Sequence, residues 1–177
     1  MQFMNDMRTK LLLILFLCLP FGMSAGNSAD NGYDDIDGFF EYCSKINSPD
    51  MRYTYISRLM MSRIANLPIG DIDLKSISDK VDFIQSVYVA AGSEETKGCI
   101  AKAESLSAVA MEKGFERVMS YNKNGIRTNI YIKSGYGGLN SLLMTNVAYV
   151  DGKVETAVAA LIGGVFTHEE ILSLLKH

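Results

Sequence analysis

Apolar side chains in the first half of the chain recur at steps of three and four residues, the spacing of one face of an α-helix. This spacing predicts three helices, at 37–46, 58–66 and 95–113. The positions that define them are Phe39, Phe40, Cys43, Ile46, Leu59, Met60, Ile64, Ile100, Ala103, Leu106, Ala110 and Met111. Two shorter segments, at 53–56 and 81–89, alternate apolar and polar residues and predict strands between the helices.

The second half of the chain alternates with a period of two, as antiparallel strands do. Asn124-Gly125 and Asp151-Gly152 are the residue pairs that tight hairpins favour. The expected strands cover 115–121, 126–133, 142–150 and 154–162, and Gly163-Gly164 is expected to break the last one. Thr167 and Glu170 have the spacing of a capping box, which predicts a final helix. Its apolar side would carry Ile171, Leu172, Leu174 and Leu175.

These elements predict an α+β fold in which helices pack on one face of a mostly antiparallel sheet. The C-terminal half would supply a four-strand meander and a closing helix. We expect a signal peptide at 1–25, a flexible acidic leader at 26–35 and a single α+β domain at 36–177.

The N-terminal segment has the three parts of a secretory signal. Arg8 and Lys10 precede an unbroken apolar run at 11–19, and Ser24 and Ala25 are small residues at the expected cleavage point. The run would span only about 14 Å as a helix, against the ~30 Å of a hydrocarbon core. We therefore expect export to the periplasm or cell envelope, with no transmembrane segment after cleavage.

Cleavage after Ala25 would remove Cys18 and leave Cys43 and Cys99. A lipid anchor at Cys18 is disfavoured, because such processing requires a small residue where this chain has Leu17. In an oxidising compartment Cys43 and Cys99 would form a disulfide or remain two buried free thiols. A disulfide would close a long loop and contribute about 4 kcal/mol in the chain-entropy model.

Composition excludes several classes of protein. The chain has 17 Lys+Arg against 20 Asp+Glu, a formal net charge of −3, so it lacks the basic balance of a nucleic-acid binder. With 48% hydrophobic and 21% charged residues, it is expected to fold rather than to be disordered.

Little in the sequence points to catalysis. The histidines are His168, in the first turn of the final helix, and His177, the last residue, so neither a catalytic triad nor a zinc site is expected. The glycine-rich loop at 135–138 precedes a strand, which favours a hairpin loop over a phosphate cradle. The acidic residues around the leader lack the spacing of a calcium loop. No metal and no cofactor is expected.

Arg127, Tyr131 and Lys133 share one side of a predicted strand. The other side of that strand carries Ile126, Ile130 and Ile132. If helices cover the isoleucines, the first side becomes an open sheet face, with Arg117 beside it and Tyr136 exposed at the tip of the neighbouring loop. Tyrosine and arginine are common at protein interfaces, although an ordinary solvated sheet face has the same pattern.

Six stretches between Phe39 and the C-terminus occur in a characteristic order. They are YTYISRLM (53–60), IGDIDL (69–74), VDFIQS (81–86), MEKGFE (111–116), IYIK (130–133) and IGGVFTHEEI (162–171). This arrangement resembles the domain of unknown function 4252 family, exported proteins of Bacteroidetes bacteria. The resemblance implies an exported α+β protein and supplies no catalytic residues.

The sequence therefore predicts an exported bacterial envelope protein of unknown function, a non-catalytic module that binds another envelope protein. Its predicted binding residues are Arg127, Tyr131, Lys133 and Tyr136. The alternative is an extracytoplasmic hydrolase whose chemistry the sequence does not reveal.

Overall fold

The computed structural model describes residues 35–64, 79–167 and 169–170. These residues contain three α-helices, α1 (Ile36–Ser44), α2 (Arg58–Ile64) and α3 (Glu94–Glu112). They also contain six strands, β1 (Met51–Ser57), β2 (Val81–Ala90), β3 (Glu116–Lys123), β4 (Ile126–Ser134), β5 (Asn140–Val150) and β6 (Lys153–Gly164), and a 3-10 turn at Tyr136–Gly138. The predicted signal peptide, most of the acidic leader and the apolar side of the closing helix lie outside the described residues.

The strands form one six-stranded sheet in the order β1-β2-β6-β5-β4-β3. Every neighbouring pair is antiparallel. Strands β3 to β6 follow one another as a meander, and β2 attaches the β1-β2 pair to β6 at the centre of the sheet. The predicted α+β class with a mostly antiparallel sheet is confirmed.

Both predicted tight hairpins form with left-handed turn residues. Asn124 and Gly125 have φ of 52° and 76°, and Asp151 and Gly152 have φ of 51° and 75°. Two consecutive positive φ angles define the turn whose twist matches that of antiparallel strands. These turns set the registers between β3 and β4 and between β5 and β6.

The sheet is apolar on both faces, and both faces are covered. On the side that we call the helix face, α1 and α3 cover a buried cluster that includes Phe40, Leu106 and Leu143. The opposite face carries a second cluster, in which Met61 of α2 and Phe166 pack with Ile56, Val81, Ile84, Ile130, Ile132, Leu142, Met144 and Ala160. The expectation that helices pack on one face holds for α1 and α3 and is wrong for α2, because a sheet that is apolar on both faces needs cover on both.

Gly163 and Gly164 do not break β6, as the sequence suggested, but form its last two residues. They pair with β2, Gly163 opposite Phe83. A Cβ atom at Gly163 would lie 2.4 Å from the Phe83 ring. Glycine therefore allows β6 to approach this aromatic side chain at the point where the strand ends.

Side chains cap the starts of two helices, of which the sequence predicted the second. The Asp35 carboxylate accepts a hydrogen bond from the Gly38 backbone amide at 2.6 Å. At the other end of the chain, the Thr167 amide donates to Glu170 Oε2 at 2.9 Å, and the Glu170 amide donates to Thr167 Oγ1 at 3.2 Å. This reciprocal pair is the predicted capping box.

Cys43 of α1 and Cys99 of α3 meet inside the helix-face cluster. Both are free thiols and 0% exposed, and their sulfur atoms lie 3.0 Å apart. The hydrogen bond with Cys99 and then burial raise the pKa of the Cys43 thiol. Cys99 Sγ also lies 3.5 Å from Met51 Sδ. The chain has thus brought the two predicted disulfide partners into direct contact, and whether they bond stays a prediction.

Candidate functional site

The structure places the four predicted binding residues in different environments. Tyr131 is 0% exposed and belongs to the cluster beneath α1 and α3. Arg127 and Lys133 are exposed on the same strand, and Tyr136 is fully exposed in the 3-10 turn. The expectation of an open sheet face at Tyr131 is therefore wrong, while the binding roles of Arg127, Lys133 and Tyr136 stay predictions.

The physical reason lies in the burial pattern of β4. Its residues from Thr128 to Ile132 are buried without interruption, on both faces. In a strand covered on both sides, alternation shows only that two faces exist. It cannot show which of them the large helix α3 will cover, and here α3 covers the side of Tyr131.

A pocket of about 260 Å³ lies on the helix face, where α3 meets the strands β3, β4 and β5. We call it the arginine pocket. Its lining comprises Glu104 and Ser107 from α3, Arg117 and Ser120 from β3, Arg127, Asn129 and Tyr131 from β4, and Val147 and Tyr149 from β5. Two of the predicted binding residues, Arg127 and Tyr131, thus line one concave site.

A β-bulge brings the two β3 residues to this pocket. Arg117 pairs with Tyr131 and Ser120 pairs with Asn129, with a register shift between Arg117 and Met119. Residues three apart in a regular strand point to opposite faces, and the extra bulge residue returns them to the same face. Without the bulge, Arg117 and Ser120 would not both line the pocket.

The pocket contains two positive groups and one negative group. Arg117 and Arg127 come from neighbouring strands and Glu104 from the helix, and all three are exposed. The Arg127 guanidinium carbon lies 5.3 Å from the centre of the Tyr149 ring, in the geometry of a cation–π contact. Within the described ranges, neither arginine forms an ion pair with a carboxylate. Two guanidinium charges in this pocket are therefore not neutralised by a carboxylate of the described segments.

Asn129 forms hydrogen bonds to residues on two other elements of the pocket wall. Ser120 Oγ donates to Asn129 Oδ1 at 2.8 Å, and Asn129 Nδ2 donates to Ser107 Oγ at 3.5 Å. Since Ser107 belongs to α3, these bonds connect the helix to β4 and β3. The buried Tyr131 hydroxyl, in contrast, has no hydrogen-bond partner among the described residues.

Sequence reasoning found Arg117, Arg127 and Tyr131 but missed Glu104 and Tyr149. Nothing in the sequence singled out Glu104, since only the packing of α3 shows which strands it approaches. Tyr149 lies two positions beyond Val147 on β5, so the alternation of that strand places both side chains on one face. The sequence alone shows that Val147 and Tyr149 share a face, and the pairing of β5 with β4 shows that this face borders Arg127 and Tyr131.

Across the described segments, no group of three or more His, Cys, Asp or Glu side chains could hold a metal ion. None of the helices in those segments has the length and apolar character needed to span a membrane.

No protein-family model, curated protein or solved structure matches this chain. The resemblance to the domain of unknown function 4252 family stays a prediction. The arginine pocket is accordingly interpreted from its own chemistry.

Proposed function

We propose that this chain is a non-catalytic binding module of the bacterial cell envelope and that the arginine pocket is its binding site. One observation carries the proposal: two arginines from adjacent strands line one pocket without a carboxylate partner in the described part of the chain. Arginine keeps its positive charge at all physiological pH values and presents several donors in a fixed plane. Such groups attract and orient a ligand, and they do not exchange protons with it.

The other polar groups of the pocket support binding rather than covalent chemistry. Among its lining residues there is no histidine, cysteine or lysine. The two serine hydroxyls are both hydrogen-bonded to Asn129, an amide that cannot act as a general base. A nucleophilic serine needs a base within hydrogen-bond reach, and neither Ser107 nor Ser120 has one in these contacts.

The proposed location rests on the N-terminal sequence, whose basic residues, apolar run and small residues are typical of a signal peptide. A chain exported in this way would meet its ligand outside the cytoplasm. The proposed partner is another envelope component, a protein or a smaller molecule held at the pocket.

The test is a crosslinked capture from envelope fractions of the native cells, using the tagged full-length chain. The informative variant is the double substitution Arg117→Gln and Arg127→Gln, since both side chains are exposed and their loss leaves the core intact. Tyr131 is unsuitable for this purpose, because truncating a fully buried tyrosine would destabilise the fold. Arg52→Gln is the matched control, an exposed arginine on β1 at the opposite edge of the sheet.

We expect the wild type and Arg52→Gln to capture the same component and the double variant to lose it. Capture that is equal in all three proteins would exclude the arginine pocket as the binding site. If neither the wild type nor the control retains any component, and turnover of a substrate is found instead, the binding-module proposal is wrong.

A further inference from the structure

We infer that the arginine pocket recognises the carboxylate group of an organic acid that carries an apolar or aromatic body. This inference deepens the proposed function and rests on it, since it names the chemistry of the ligand for the same site.

The preference for an anion follows from the charges around the pocket. Arg117 and Arg127 lie on neighbouring strands and on the same side of the sheet, and neither forms an ion pair with a described carboxylate. A guanidinium donates two parallel hydrogen bonds to an oxyanion, which makes such contacts stronger and more directional than those of lysine. Two such groups lining one small pocket are suited to an oxyanion with at least two oxygen atoms.

The charge balance favours a carboxylate over a phosphate. Glu104 shares the pocket with the two arginines, so the lining carries a net single positive charge. A carboxylate carries one negative charge and therefore neutralises the single net positive charge of the lining. A phosphate monoester carries about −1.5 to −2 at neutral pH, and the excess would be repelled by Glu104.

The apolar part of the lining indicates what the acid carries. Val147 is buried, and the Tyr149 ring is held beneath the Arg127 guanidinium. These groups offer contact area to a hydrocarbon or aromatic body next to the charged end. The volume of about 260 Å³ suits one small acid or one side chain, and it is too small for an extended chain.

Benzoate is the probe, with its neutral isostere benzamide and inorganic phosphate as comparisons. Binding is followed by ¹⁵N NMR on the full chain, through the side-chain Nε–H signals of the arginines. The substitutions Arg117→Gln and Arg127→Gln assign two of these signals, and Arg52 supplies a control signal from the far edge of the sheet. We expect benzoate to shift the signals of Arg117 and Arg127 and to leave that of Arg52 unchanged.

Either pocket substitution should weaken benzoate binding by about tenfold or more, the loss expected for one charge-assisted hydrogen bond. Benzamide should bind at least about tenfold more weakly than benzoate for the same reason. Added salt should weaken binding, because both arginines are exposed to screening. Equal affinities for benzoate and benzamide, or tighter binding of phosphate than of benzoate at these arginines, would overturn the carboxylate assignment and leave the binding module standing.

The acid could be a free molecule or a carboxylate on a partner protein, and the envelope capture distinguishes these sources. A protein partner that benzoate displaces and benzamide does not would place the carboxylate on that protein. A small acid released from the purified wild type on denaturation, and absent from the double arginine variant, would identify a free ligand. A captured component that is insensitive to both benzoate and the arginine substitutions would refute the inference, and absence of any component together with no response to any probe would refute the proposed function as well.

Discussion

Oxidation of Cys43 and Cys99 to a disulfide should stabilise this protein strongly. The two sulfur atoms already touch, at 3.0 Å, and they connect α1 to α3 across 56 positions of the chain. In the reaction the two thiols release two protons and pass two electrons to a disulfide oxidant such as oxidised glutathione, which becomes two thiols. The periplasm is an oxidising compartment in which such bonds persist.

The magnitude follows from the length of the closed loop. Joining residues 56 apart removes conformational entropy from the unfolded chain worth about 4 kcal/mol at 25 °C in the chain-entropy model. In a domain of this size, 1 kcal/mol shifts the melting temperature by about 2–4 °C, so the expected increase is roughly 8–16 °C. Because both cysteines lie in the buried cluster before oxidation, little repacking is needed to form the bond.

The rate of oxidation should depend on folding. Thiol–disulfide exchange requires a thiolate that the oxidant can reach, and both cysteines are 0% exposed in the folded protein. Oxidant added to the folded protein should therefore react slowly, while oxidant present during refolding should react readily. In the extracytoplasmic location that we propose, the bond would therefore form as the chain folds.

Urea unfolding of oxidised and reduced protein measures the effect, with free thiols counted under denaturing conditions. The variant Cys99→Ala is the control, since its stability should not respond to the oxidant. Two free thiols in protein isolated from the envelope would show that the bond does not form in the cell. An oxidised protein less than about 1 kcal/mol more stable than the reduced one would show that the loop-closure argument fails here.

Three further predictions follow from single contacts. Tyr131→Phe removes a buried hydroxyl that has no described partner, so the free energy of unfolding should stay constant or rise by up to about 1–3 kcal/mol in urea titrations; a loss would reveal a bound partner. Glu170 is hydrogen-bonded and ion-paired to Lys80, which lowers its pKa. The contribution of Glu170 to stability is present above the ordinary carboxyl pKa and is lost as the pH falls through the lowered value. Glu170→Gln should therefore flatten the acid side of the profile of melting temperature against pH. A profile that is unchanged in this variant would contradict the argument. Gly163→Ala places a Cβ 2.4 Å from the Phe83 ring and should cost about 1–3 kcal/mol, less in a Phe83→Leu background; an equal cost in both would mean that the ring is not the obstacle.

Local sequence patterns were sufficient to place most elements. The helix predicted at 95–113 is found at Glu94–Glu112, and the strand predicted at 81–89 is found at Val81–Ala90. Side-chain periodicity, tight-turn residues and the capping box act over a few neighbouring positions, so each can be recognised without knowledge of the rest of the chain. The two hairpins at Asn124-Gly125 and Asp151-Gly152 could be predicted because two adjacent residues determine each turn.

The candidate site was only half accessible from the sequence. Arg127 and Tyr131 were correctly placed on one side of a strand, but Tyr131 was expected in solvent and is fully buried. The bulge between Arg117 and Met119, which brings Arg117 onto that side, leaves no clear mark in the alternation of β3. A shift of one residue reverses every side chain beyond it, so the composition of such a face depends on a single irregular position.

The sequence by itself determined the segments, the turns and the cap at the C-terminal helix, and it predicts the signal peptide. Only the tertiary structure decided that β2 pairs with β6, that α3 covers the Tyr131 side of the sheet, and that Cys43 meets Cys99. The physical reason is the distance along the chain over which the deciding interactions act. Local elements depend on residues within one or two turns, whereas sheet order and the choice of face depend on how two apolar surfaces distant in the chain bury each other best.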